Sequence, residues 1–187
     1  LLQGIAEPIL ETEAAKEPDA TVSSVCMLQS IKHAERQAAQ QKHKGRLVLL
    51  GDKITALLTG RPVTPTGEQY GLSGELTSLD GVRVVLAHHL MLKAKGDVTA
   101  ALEKADITSA YLQAPWSAHI PPHFLRLPSE VWRGLPDDLR AKADALRSKG
   151  RVCFRMRTCL YGHPVSGHAW ISKCDLHLKE TGWTPVE

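Results

Sequence analysis

What the chain lacks narrows the field first. No stretch approaches the roughly 18 consecutive apolar residues that a membrane-spanning helix needs. The N-terminus has no basic flank followed by an apolar core, so no secretory signal is visible. No G-x-S-x-G elbow and no G-x4-G-K-[ST] phosphate loop occur, which removes the commonest hydrolase and NTPase signatures. No C-x2-C pair appears either. The four cysteines, Cys26, Cys153, Cys159 and Cys174, therefore read as reduced thiols of an intracellular protein, cytoplasmic or nuclear and not secreted. The first residue is Leu1 rather than Met, as expected of a piece of a longer protein.

What is present suits a globular protein. A chain of 187 residues with 43% hydrophobic content is long enough to bury a core. Its net charge of +3 is small but unevenly spread. Residues 1–30 hold five acids against Lys16, a net of −4, so residues 31–187 carry +7. A mildly basic body behind an acidic leader is compatible with a phosphate-bearing partner, without requiring one.

Periodicity sketches the elements. Residues 1–22 are acidic, contain Pro8 and Pro18, and lack sustained periodicity, which reads as a linker. Ser24 to about Lys42 are good helix formers with Val25, Leu28, Ile31 and Ala38 roughly on one face, predicting a helix. Lys44–Asp52, KGRLVLLGD, predicts a strand. Residues 59–78 read as an irregular connection, and residues 79–96 as a helix on Val82, Val85, Leu86 and Leu90, stopped by Gly96. Asp106 then ends a strand-like run. Pro122–Pro128 reads as extended, LPDDLRAKADALRSKG (135–150) as a well-punctuated helix, and RVCFRMRTC (151–159) as a half-buried strand with a basic outer face. After the turn LYGHPVSG, Ser166 is placed to cap a last helix facing inward through Trp170, Cys174 and Leu178 and stopped by Gly182. The class is α+β.

Three blocks stand in order: KGRLVLLGD, then ADITSAYL, then RMRTCLYGHPVSGHAW. Their order and spacing resemble the reverse transcriptase domain of copia-type LTR retrotransposons, over roughly Lys42 to Val186. The resemblance implies the fingers and first part of the palm of a right-hand polymerase, mixed strands with packing helices. Residues 1–23 would be a leader or linker and 24–187 a partial domain, ending before the family's Tyr-x-Asp-Asp hairpin. It implies RNA-templated DNA synthesis from dNTPs with Mg²⁺ (or Mn²⁺), and as partners an RNA template and primer duplex and the remainder of a Pol polyprotein.

By the same resemblance, Asp106 is a catalytic metal ligand assisted by the backbone carbonyl of Ile107, because nucleotidyl transfer uses divalent ions to stabilise attacking and leaving oxygens. Tyr111 matches the aromatic that floors the sugar pocket and clashes with a ribose 2′-hydroxyl. Fully extended, Asp106 and Tyr111 would point to opposite faces, so a turn through the small Thr108, Ser109 and Ala110 is expected. Lys44 and Arg46 would meet the triphosphate, and Tyr161 and Gly162 the nucleotide and template. Arg151, Arg155 and Arg157 would line a nucleic-acid backbone track. The family's Leu-Lys-Gln after the glycine is here His163-Pro164-Val165, which removes a basic and an amide contact. With one aspartate and no second carboxylate pair, the 187 residues alone are expected to polymerise little or not at all.

Two other readings compete. One is a non-catalytic nucleic-acid-binding or interaction protein derived from such a polymerase. The other is a small zinc-stabilised domain built on Cys153, Cys159, His163, His168, Cys174 and His177, whose spacings lack any compact pair.

Overall fold

The computed structural model describes residues 4–65, 79–99, 101–102 and 106–184. Its centre is a mixed sheet. The strands are β1 (Ala6–Leu10), β2 (Thr21–Lys32), β3 (Lys42–Leu49), β4 (Thr55–Ala56), β5 (His123–Arg126) and β6 (Val152–Met156). They stand in the order β1-β6-β5-β2-β3, with β4 beside β2. All pairings are antiparallel except β2 with β5, whose parallel register runs from Thr21↔His123 to Ser24↔Arg126. Helices α1 (Glu11–Ala14), α2 (Leu79–Ala94), α3 (Ala110–Gln113), α4 (Ser129–Arg133), α5 (Asp137–Arg147) and α6 (Ser166–Glu180) complete the α+β arrangement, with a 3₁₀ turn at Ala38–Gln40.

Both faces of the sheet carry buried apolar side chains, because neighbouring residues of its central strands are apolar in turn. Leu125, Phe154 and Met156 pack with Val25, Leu47, Leu49, Val131, Leu135, Leu139, Ala143 and Leu160. On the other face Phe124 and Cys153 meet Ala14, Ala20 and Val22. Period-2 alternation sends neighbouring residues of β5 and β6 into two separate clusters. Helix α5 supplies Leu139 and Ala143 to the first, as its punctuated sequence predicts.

Several expectations change here. Ser24–Lys42 is not a helix but most of strand β2, a turn at His33 with φ +59°, and the 3₁₀ piece. Its register with β3, Val25↔Leu49 through Lys32↔Lys42, explains why. A hairpin partner and the burial of Val25 outweigh the weak local helix preference of the segment. The leader is not loose between residues 6 and 20. Strand β1 pairs along the whole of β6, and Ala6, Ala14 and Ala20 are buried. Its acids explain the charge asymmetry: Glu7 pairs with Arg157, Glu17 with Arg155, and Glu11 with Arg126 through bonds of 2.7 and 3.3 Å. Ser166 is the first residue inside α6 rather than its cap; its hydroxyl donates to the Leu160 carbonyl at 2.6 Å. The inner face of α6 is half-buried at Trp170 and Cys174, while Leu178 is exposed.

Other expectations stand. Strands occur at β3, β5 and β6, and helices at α2, α5 and α6, with Gly96 (φ +86°) and Gly182 (φ +91°) beyond the ends of α2 and α6. Helix α2 buries none of its residues, however. Its valines and leucines are spread around the helix rather than gathered on one stripe. The irregular connection lies outside the described residues beyond position 65, as do residues 103–105 leading into Asp106. No described helix is long and apolar enough to cross a membrane.

Two histidines occupy the core, which the sequence reading did not foresee. His123 is fully enclosed, its ring nitrogens 2.8 Å from the Thr21 hydroxyl and 2.9 Å from that of Ser23. His163 meets it edge-on at 4.6 Å, and Trp116 meets His163 edge-on at 4.9 Å. The Nδ1 atom of His163 accepts the Val165 N–H at 3.2 Å, so its proton sits on Nε2.

Candidate nucleotide site

Strand β3 presents Lys44 and Arg46 at a register opposite Ser30 and Leu28, toward the turn end of the hairpin, where both side chains are exposed. The third block reaches the same strand from the other direction. The Leu49 N–H donates to the Tyr161 carbonyl at 2.8 Å, so the LYG turn is bonded to β3 backbone to backbone. That approach explains Gly162. Its φ is +91°, and a Cβ there would stand 2.1 Å from the Leu49 carbonyl oxygen. Gly51 is under the same constraint, since its Cβ would meet the Gly162 oxygen at 2.1 Å. Only glycine lets the two backbones close.

The second block enters as a turn. Asp106 and Ile107 carry no strand, Thr108 and Ser109 turn, and Ser109 takes the left-handed conformation (φ +54°) before the single helical turn of α3. The bend expected past Asp106 is therefore present. The Gln113 amide donates back to the Thr108 carbonyl at 2.9 Å and closes the loop. Lys173 of α6 donates to the Gln113 carbonyl and ties α3 to the last helix.

These pieces meet in one cleft of about 540 Å³. It is lined by His43, Lys44, Gly45, Arg46 and Leu47 from β3, and by Asp106, Ile107, Thr108, Ser109 and Leu112 from the second block. Leu160, Tyr161 and Ile5 complete it. Lys44 is held below the ordinary lysine pKa by the neighbouring Lys32 amine, with Asp106 pulling in the opposite direction. A lone carboxylate thus faces cations across an open cavity, with an aromatic ring at one side. Such an arrangement can bind a polyphosphate carrying a divalent ion: the cations meet phosphate oxygens and the carboxylate meets the metal. Among the described residues, no group of three or more His, Cys, Asp or Glu could hold an ion by itself. An ion here would need most of its ligands from the phosphates.

Tyr111 is not in the cleft lining. Its ring packs on Tyr161 at 4.7 Å and 40°, and its hydroxyl points toward Gly167 at the start of α6. Asp106 lines the cavity, whereas Tyr111 reaches it only through its contact with the lining residue Tyr161. The three arginines of the expected backbone track have different surroundings. Arg155 and Arg157 are engaged by Glu17 and Glu7, and Arg151 lines a different cleft at the other end of β6. Two lining residues lie outside the three sequence blocks: Ile5 and His43. Ile5 comes from the leader, where no local signal marks it; His43 could have been found from its place beside Lys44 in the basic run.

Among the described residues, the cysteines and histidines of the zinc reading form no group of three or more that could hold an ion. Burial pushes the Cys153 thiol up to about 12 and the Cys159 thiol up to about 11. No protein-family model, curated protein or solved structure matches the chain.

Proposed function

We propose that this chain forms the fingers and early palm of a copia-type RNA-directed DNA polymerase, and that its cleft binds a deoxynucleoside triphosphate with Mg²⁺. The observation that carries this reading is the cleft itself. Asp106, Lys44, Arg46 and Tyr161 come from three stretches separated by about sixty and fifty-five residues, and all four line one cavity. They are the residues of the three blocks on which the resemblance rests.

Each residue has a distinct task. Lys44 and Arg46 orient the triphosphate through charge-assisted bonds. Asp106, with the backbone carbonyl of Ile107, would hold the divalent ion that accompanies the triphosphate. Tyr161 gives the base and sugar a surface to lie on, with Gly162 holding the turn against β3, and Tyr111 packs on the Tyr161 ring, so it governs the sugar indirectly. The divalent ion supplies the charge that stabilises the attacking and leaving oxygens during nucleotidyl transfer. RNA template and primer would lie along the exposed hairpin of β2 and β3, whose Lys32, Lys42 and Lys44 reach solvent.

Equilibrium titration with a fluorescent dNTP tests this directly. Binding should strengthen with Mg²⁺. Asp106→Asn should remove that metal dependence, and Lys44→Ala or Arg46→Ala should weaken binding about tenfold or more. Affinity that ignores both Mg²⁺ and Asp106 would overturn the reading. The rival, a non-catalytic RNA binder, draws on the lack of a three-donor metal group among the described residues. It predicts salt-sensitive RNA binding with no nucleotide affinity.

A further inference from the structure

At the opposite end of β6 from the nucleotide cleft lies a second cavity, also about 540 Å³. Its polar lining is Arg126, Arg147, Arg151, Ser129 and Glu11, with Trp132 at one wall. Three guanidiniums against one carboxylate leave a local charge of +2 (3 − 1). The two clefts share no residue.

The groups are held rather than merely near one another. Arg126 is clamped on both oxygens of Glu11, which raises its pKa and silences the carboxylate. Arg147 lies over the Trp132 ring at 5.2 Å. Trp132 is itself fixed: its Nε1–H donates to Asp144 at 2.9 Å, and its ring meets Phe154 edge-on at 5.6 Å. Arg151 is positioned through its backbone, whose carbonyl accepts the Glu11 N–H at 2.9 Å. Neither Arg147 nor Arg151 has an acidic partner among the described residues.

We propose that this arginine cleft is a second anion site that takes a phosphate group, free or as a small monoester. Two uncompensated guanidinium forks, with the outward N–H groups of Arg126 beside them, match a dianion with three or four acceptor oxygens better than a carboxylate. Nucleobase stacking is disfavoured, because Arg147 already covers the indole face. That stacking also preorganises Arg147, which lowers the entropy lost on binding.

The test is a titration of the intact chain with inorganic phosphate and with phenyl phosphate, at constant ionic strength in chloride. It is run in the Lys44→Gln/Arg46→Gln background so that the nucleotide cleft does not contribute. Saturable one-to-one binding is expected, with a change in indole emission that Trp132→Phe removes. Arg147→Gln and Arg151→Gln should each weaken it about tenfold, and Arg147→Lys less, since charge survives but the fork does not. Tighter binding of the phenyl ester identifies a monoester as the ligand; equal binding identifies free phosphate. Affinity that vanishes in the Lys44→Gln/Arg46→Gln background, persists in Arg147→Gln/Arg151→Gln, or fails to saturate against chloride would refute the site. None of these results depends on dNTP binding.

Discussion

Lowering the pH from 7.5 to 5.0 should destabilise this protein through its two core histidines. Burial holds His163 at about 4, and burial first, then His163, holds His123 well below the ordinary histidine value. Their surroundings offer no charge to stabilise an imidazolium: the neighbours are the hydroxyls of Thr21 and Ser23, the Val165 amide and the Trp116 ring. In the unfolded chain both titrate near the ordinary histidine value of 6.5. The folded pKa values are depressed, so the unfolded state alone takes up protons between about 6.5 and 4. Stability is fully present above that window and falls as pH drops through it. With a folded value of about 4, His163 costs about 2 kcal/mol by pH 5, and His123 adds to the loss in the same direction. Urea unfolding followed by circular dichroism at pH 7.5, 6.5, 5.5 and 5.0 measures this before most carboxylates titrate. His163→Gln is the control, since its side-chain oxygen can still accept the Val165 N–H but cannot titrate. It should remove the His163 share of the pH dependence, about 2 kcal/mol between pH 7.5 and 5.0. A wild-type protein whose unfolding free energy is unchanged from pH 7.5 to 5.0, or a His163→Gln variant with the same slope as wild type, would refute the reasoning.

Other outcomes follow from single contacts. Gly162→Ala should cost roughly 2–4 kcal/mol, because the new Cβ meets a backbone oxygen at a positive φ, whereas Gly45→Ala, with open space around it, should stay within about 0.5 kcal/mol by thermal melting. Phe154→Ala should cost roughly 3–5 kcal/mol through the cavity it leaves in the main core. The Thr158 hydroxyl is buried without a hydrogen-bond partner among the described residues, so Thr158→Val should be neutral or stabilising by up to about 1 kcal/mol; clear destabilisation would reveal a partner for that oxygen. Removing the exposed Glu7–Arg157 pair by Glu7→Gln should change stability by less than about 1 kcal/mol.

The sequence by itself determined the elements whose cause is local. Helix α5 has acids in its first turn and Arg147 in its last, and β6 alternates; α2 and α6 run out just before glycines at positive φ. The same holds for the turn between Asp106 and α3, where small residues permit a bend that the structure contains. The blocks also marked Lys44, Arg46, Asp106 and Tyr161 before any geometry was known, and one cavity holds all four. Tertiary structure alone decided the rest. Ser24–Lys42 has helix-like spacing, but its strand state depends on Leu47 and Leu49 of β3, a partner that no local window contains. The acidic leader became an edge strand because β6, some 145 residues away, offered both a ladder and arginines for its glutamates. Tyr111 moved behind Tyr161 for the same kind of reason: five residues of spacing fix a turn, while the side of a ring on which a distant loop packs is set by the LYG backbone bonded to Leu49. Long-range pairing energy is shared between segments, so neither segment's own sequence carries it.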